Sequence, residues 1–239
     1  MSGQKTRAAG GAVEHRYADG GIDNVMVVGV GGQGVIVAAA VIADTALLHG
    51  DLDVKLSETR GMSQRGGSVC SHIRIGEKVI APSISPGEVD YLLAFEAAEG
   101  LRFAVSVRRD GVAIVNTQQI VPPLASQGEF AYPFDAIERM DDGSRSVVAV
   151  DGNAVAEAVG DLKVAGVVLV GALSAYLDFA TDTWEQAIQR NVPERWLDMN
   201  LAAFAAGREA TAARSAATAP RSAATAARNA ATTTGEASA

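Results

Sequence analysis

Residues Val25–Val35 read VMVVGVGGQGV. Val25 to Val30 are apolar apart from Gly29. A glycine cluster interrupts them, and an alanine- and valine-rich run follows. This order predicts a buried parallel strand, a tight turn and the start of a helix. Gly29, Gly31 and Gly34 fit the G-x-G-x-x-G spacing, and Gly32 adds a fourth glycine. Such a turn suits anion binding: the backbone can come close to a ligand, and free N–H groups at a helix N-terminus favour phosphate. Alone, the motif fits a dinucleotide site, another phosphate site, or a strand-to-helix turn with no ligand.

Working outward, residues 1–23 have no periodicity and are expected to form a disordered leader. A helix is predicted from about Gln33 to Leu48, closed by Gly50. Leu52–Glu58 alternates as a strand, and so does Ser68–Ile75. Gly76–Lys78 suggests a hairpin turn into Val79–Ile80. Further strands are expected at Val89–Phe95, Val112–Asn116 and Val147–Val150, with helices at Ala97–Val107, Asp135–Met140 and Asn153–Val159. Asp110–Gly111 reads as a turn. The last third is helical. Ala165–Leu177 is apolar enough to be buried, with Gly166 and Gly171 permitting close packing. Thr183 and Gln186 suggest a capping box, and Pro193 opens a helix that fades near Gly207. Thirteen of the last 29 residues are alanine, in a seven-residue repeat headed by Arg214, Arg221 and Arg228. No residue larger than alanine offers a coiled-coil seam, so 210–239 is expected to be a disordered low-complexity tail. The predicted fold is α/β: a Rossmann-like, mostly parallel sheet flanked by helices, with a β-hairpin insertion and a helical C-terminal part.

Composition narrows the function. Hydrophobic residues make up 48% of the chain and aromatics 5%, so the core is built mainly from small aliphatic side chains. The net charge of −8 argues against nucleic-acid binding. No apolar run is long enough for a membrane span, no secretory signal is visible, and a cytoplasmic location is expected. The single cysteine, Cys70, rules out an intrachain disulfide or a cysteine-ligated iron–sulfur cluster held by this chain alone. His15, His49 and His72 lack metal-ligand spacing. Cys70 and His72 share a strand face, a pattern that favours a packed strand cysteine over a nucleophile–base pair. No catalytic residue and no metal ligand are expected.

What remains is the turn and the polar loop Thr59–Gly67, TRGMSQRGG. In an open parallel sheet, loops at the carboxyl ends of neighbouring strands converge on one crevice. Backbone donors, Arg60, Ser63, Gln64 and Arg65 are therefore expected to share a cleft suited to phosphate or pyrophosphate. Glu58 lies where a dinucleotide fold keeps its ribose-binding acid, and it equally fits a surface acid at a strand end. A stand-alone NAD- or FAD-binding oxidoreductase, and a scaffold that kept the fold but lost the site, are the alternatives.

GVGGQGV, then KLSETRGMSQRGGSVCSHIRIG, then VDYLLAFEAAEGLR, then VVLVGALSAYL resemble, in that order, the gamma-type domain of 2-oxoacid:ferredoxin oxidoreductases. The likeness is greatest to the small (beta) subunit of the indolepyruvate enzymes. The resemblance spans residues 24–209 and implies a subunit inactive alone, within a complex that makes acyl-CoA by oxidative decarboxylation of a 2-oxoacid and passes electrons to ferredoxin. It implies a large, thiamine-binding alpha subunit carrying thiamine diphosphate, Mg and 4Fe–4S clusters, with no cofactor bound by this chain alone. Asp151-Gly152-Asn153 departs from a thiamine Gly-Asp-Gly motif, since Val150 stands in place of the first glycine. Carried over by position, Gly29, Gly31, Gly32, Gln33 and Gly34, with Ser63, Gln64, Arg65, Gly66 and Gly67, are expected to form the coenzyme A side of a shared site or to dock the large subunit.

Overall fold

The computed structural model describes Tyr17 and residues 20–60, 67–129 and 131–218. Six strands form one sheet: β1 (Ile22–Val30), β2 (Asp53–Arg60), β3 (Ser68–Gly76), β4 (Val89–Ala94), β5 (Val107–Asn116) and β6 (Ser146–Val150). Their order is β2-β3-β1-β4-β5-β6. β1, β4, β5 and β6 pair in parallel, while β3 runs antiparallel to both β1 and β2. The connection from β2 to β3 is too short for the crossover that a parallel return needs, so the chain turns back as a hairpin. The expected mostly parallel sheet with a hairpin insertion is thus present, but the hairpin is β2–β3. Val79–Ile80 forms no strand: the Val79 N–H turns to Asp53 Oδ2, 2.9 Å away.

One face of the sheet carries α1 (Val35–His49), α5 (Gly152–Val159), α6 (Ala165–Ser174), α7 (Thr181–Asn191) and α8 (Leu197–Thr218) over the larger core. The other carries α2 (Ala97–Phe103) and α4 (Ala136–Met140) over a smaller cluster containing Met26, Val28, Cys70, Leu92 and Met140. A short α3 (Pro123–Ser126) lies between β5 and α4. β1 is buried on both faces, Val25 and Val27 on one and Met26 and Val28 on the other, which explains its unbroken apolar run. α6 and α8 cross in close contact. A Cβ on Gly171 would lie 2.1 Å from the Phe204 carbonyl oxygen, and one on Gly207 only 1.9 Å from that of Val168.

Several local expectations are corrected. Asp110–Gly111 lies inside β5, where Asp110 has φ 62° and the pairing with β4 shifts register. α7 starts at Thr181, so Thr183 is inside it and no side chain caps its start. α8 continues to Thr218, because Gly207 is its contact with α6 rather than its end. β1 begins at Ile22 within the expected leader, and Tyr17 is buried with its hydroxyl donating to Asp23. The remaining leader residues and 219–239 lie outside the described residues.

Candidate functional site

Four parallel strands end at the same edge of the sheet, and the turn Gly29–Gly34 sits at the end of β1. Gly29 has no room for a side chain: a Cβ would meet Phe95 Cβ at 2.8 Å and Gln33 Oε1 at 2.9 Å. Gly32 and Gly34 adopt φ of 105° and 89°, the left-handed region open to glycine. Gly34 is the N-cap of α1, and no side chain caps that helix start. The Gly31 N–H donates to the Gly67 carbonyl at 2.8 Å, so the turn meets the end of the loop that precedes β3.

Gln33 holds the turn in place. Its Oε1 accepts the Val30 N–H at 2.7 Å, and its Nε2 donates to the Phe95 carbonyl at 3.0 Å and to Gln118 Oε1 at 2.8 Å. One carboxamide thereby ties the end of β1 to the end of β4 and to the segment after β5. A second bracket stands beside it. Asn116, buried at the end of β5, accepts the Gly152 N–H at 3.1 Å and donates to the same Phe95 carbonyl and to Asn153 Oδ1, both at 3.2 Å.

Between the brackets opens a cleft of about 350 Å³, lined by Gly32, Gly34, Gln118, Asn153, Lys163 and Gly166 among others. Gly166 lets α6 approach, since a Cβ there would lie 2.9 Å from the Phe95 ring. The N-termini of α1, α5 and α6 all begin around this cleft, and their dipoles favour negative charge. An apolar recess of about 200 Å³, walled by Val37, Val167, Pro193, Trp196 and Met199, adjoins it. Lys163 lies at the junction, its ammonium 3.6 Å from Asp161 Oδ2 and 5.7 Å from the Trp196 ring centre.

The nearby ionisable groups are committed to structure. Burial, followed by the charge of Glu99, pushes the Cys70 thiol up to about 11, so it stays protonated and packed in the smaller core. His72 Nδ1 accepts the Ile84 N–H at 3.1 Å. The buried Glu96 carboxylate accepts the Glu99 and Ile120 N–H groups and the Tyr132 hydroxyl. Asp151 caps α5 by accepting the Ala154 N–H at 3.0 Å. The arrangement is therefore one for binding: backbone donors, carboxamides and one ammonium around a cleft.

Gly29, Gly31, Gly32, Gln33 and Gly34 are brought together, and Gly67 joins them. Ser63, Gln64, Arg65 and Gly66 lie outside the described residues. Glu58 is exposed on the edge strand, and β3 stands between it and β1, which separates it from the turn. Asn116, Gln118, Asn153 and Lys163 are lining or bracing residues that the sequence reading missed. Asn116 could have been found from its place at the carboxyl end of a predicted strand, and Asn153 from its place at the start of the predicted helix that follows the next strand, where such crevices form.

The sequence profile described as pyruvate ferredoxin/flavodoxin oxidoreductase matches residues 24–210. The indolepyruvate oxidoreductase subunit IorB of Archaeoglobus fulgidus is 38% identical over 188 residues, covering 77% of this chain and 92% of the relative. The subunit of the same name from Thermococcus kodakarensis is 34% identical, covering 78% and 95%. Among solved structures, the gamma subunit of a keto/oxoacid ferredoxin oxidoreductase from Geobacter sulfurreducens superimposes with a TM-score of 0.61 at 24% identity. That alignment covers 80% of this chain and 99% of that one, and it supports the fold.

Proposed function

This chain belongs to the pyruvate ferredoxin/flavodoxin oxidoreductase family, and from that premise we propose that it serves an enzyme acting on indolepyruvate or a related aryl pyruvate. It is the small subunit of a multi-subunit 2-oxoacid:ferredoxin oxidoreductase. The observation that carries the substrate proposal is the match, at 38% identity, across 92% of the length of an indolepyruvate oxidoreductase subunit. In this proposal the complex converts the 2-oxoacid to an acyl-CoA in the cytoplasm and passes the electrons to ferredoxin. Thiamine diphosphate with Mg and the 4Fe–4S clusters belong to the larger partner; thiamine, when bound there, supplies the means to stabilise a carbanion. In this proposal residues 24–209 are the functional domain, to which the structure adds the start of β1 at Ile22 and the last turns of α8 to Thr218, part of the segment expected as a disordered tail.

This chain's own part is to form the CoA side of the shared site. The turn Gly29–Gly34 offers backbone donors at a helix N-terminus, Gly67 accepts the Gly31 N–H, and Ser63, Gln64, Arg65 and Gly66 are proposed to complete the site. No observation favours a stand-alone dinucleotide enzyme, because Glu58 is remote from the turn. The test is reconstitution with the larger subunit and a dye-reduction assay with indolepyruvate, phenylpyruvate and pyruvate. CoA-dependent turnover is expected with the aryl substrates. Arg65→Ala is expected to raise the CoA KM about tenfold, the effect of losing one charge-assisted contact. An unchanged KM in a correctly assembled complex would remove the loop from the site.

A further inference from the structure

Residues 117–138 contain no lysine or arginine, three prolines and the acids Glu129, Asp135 and Glu138. Between β5 and α4 the stretch has no regular structure except the single turn of α3, and compact domains seldom keep so long a connection without a use. Two short arms stand at its ends. Residues 118–121 leave β5 and residues 132–134 lead into α4, and Gln119 Nε2 joins them by donating to the Phe134 carbonyl at 3.1 Å. Both arms are tied to one buried carboxylate. Glu96 is 1% exposed, and it accepts the Ile120 N–H at 3.1 Å and the Tyr132 hydroxyl. The Gln118 carbonyl accepts the Ala97 N–H at 3.0 Å, and Gln118 Oε1 accepts from Gln33, which fastens the first arm to the glycine turn. Yet the arms present apolar side chains to water. Phe134 is 65% exposed and Val121 39%, with the Phe134 ring set edge-on to Tyr132 at 4.9 Å. One exposed apolar side chain is ordinary on a protein surface. A buried carboxylate that fixes a surface segment is not, because desolvating the charge is costly. A segment held rigid in this way loses little entropy when it binds.

We propose that these two arms dock the larger subunit, with Phe134 and Val121 entering an apolar socket that basic side chains rim. Charge selects the rim. Glu129, Asp135 and Glu138 are exposed and flank the second arm in sequence, and the cation recorded against them among the described residues is Arg139, 3.6 Å from Asp135. A face with an apolar centre and an acidic border is complementary to a partner with the opposite border. Position selects the partner. The first arm leaves the carboxyl edge of the sheet and is bonded through Gln118 to the turn that we read as half of a shared site, so the face is continuous with that junction. Ile80 and Val105 are more exposed still, at 87% and 77%, but they lie at the opposite end of the sheet. The identity of the partner rests on the small-subunit reading.

The test measures binding of the full chain to its larger subunit by biolayer interferometry. Phe134→Ala is expected to weaken assembly about thirtyfold, the effect of losing a central aromatic anchor. Phe134→Asp and Val121→Asp should weaken it about a hundredfold or more, since each places a charge in the apolar socket. All three side chains removed are exposed or partly so, and the thermal midpoint of the chain alone should not move. Ile80→Asp and Val105→Asp, at the other end of the sheet, should leave assembly unchanged. The double reversal Glu129→Lys with Glu138→Lys should slow association about tenfold at low salt and flatten its salt dependence. Wild-type binding that survives both Phe134→Asp and Val121→Asp overturns the proposal. Association indifferent to salt and to the charge reversals overturns the basic rim. If the aspartate variants instead dissociate a dimer of the chain alone and leave assembly intact, the face belongs to a second copy and the proposal fails. A wild-type chain that does not bind the larger subunit at all defeats the small-subunit reading, and the proposal with it.

Discussion

The two ends of the sheet solve the same problem with different chemistry. At the carboxyl end of β1, neutral carboxamides join three strand ends beside a cleft. At the opposite end, charges are used. Asp90 accepts from Arg108 at 2.5 Å and from the Asn24 N–H at 2.8 Å. Arg74 bonds Asn24 Oδ1 and the Ala81 carbonyl, and Asn24 Nδ2 holds the Glu88 carbonyl. These bonds pin the loop between β3 and β4, and the groups face one another rather than a ligand. A neutral bracket has no titration, so its geometry holds at any working pH, whereas a charged bracket binds more strongly but ties stability to pH.

The largest effect that separates the two ends should come from Asn116→Ala. The change strips the buried Gly152 N–H of its acceptor and the Phe95 carbonyl of one donor. A loss of about 3–4 kcal/mol is expected from the unmet groups and the cavity, read as a shift in the urea midpoint. The loss should be the same at pH 5 and pH 8. A strong pH dependence would break the comparison, because it would mean that ionised groups take part in the neutral bracket.

Asp90→Asn tests the charged end. Burial, and after it the charge of Asp23, raises the Asp90 carboxyl from 3.8 to about 6 against the pull of Arg108. Its folded value lies above its unfolded one, so its contribution to stability is complete below about 3.8 and is lost as pH rises through about 6. The asparagine variant has no such loss. Its stability relative to wild type should therefore climb by roughly 2–3 kcal/mol between pH 3.5 and 7, measured by urea denaturation across the range. A flat difference would place Asp90 in a far wetter setting than its burial indicates.

The ends also differed in how far the sequence disclosed them. The turn was legible because its needs are local: an apolar strand, glycines where φ turns positive, and a helix start. The strands were legible for the same reason, since alternation and apolar runs belong to one segment at a time. What could not be read was who neighbours whom. β2 alternates as expected, yet the insertion of β3 between it and β1 is a pairing decision, and it moved Glu58 away from the site. The Gln33–Gln118 and Asn116–Asn153 links join positions far apart in the chain through single carboxamides, which leave no periodicity or spacing to detect. Gly207 looked like a helix end because glycine is a poor helix former, but its purpose lies in the carbonyl of Val168 on another helix.

The smallest expected effect bears on the same contrast at a single hydrogen bond. His72 sits half-buried on β3, and its Nδ1 accepts the Ile84 N–H, so this stretch of the pinned loop depends on a neutral imidazole. Burial lowers the His72 value below the ordinary 6.5. A base whose folded value lies below its unfolded one contributes stability above about 6.5 that is lost as pH falls through the folded value. The loss is worth about 1 kcal/mol, that of one hydrogen bond. NMR titration should place the His72 midpoint below 6.5, and the Ile84 amide should lose exchange protection over the same range. The amides of Val30 and Gly152, held by carboxamides, should not respond. If the Ile84 amide is equally indifferent, the loop is held by Arg74 and Asn24 alone, and the charged end tolerates acid better than its inventory of ionisable groups suggests.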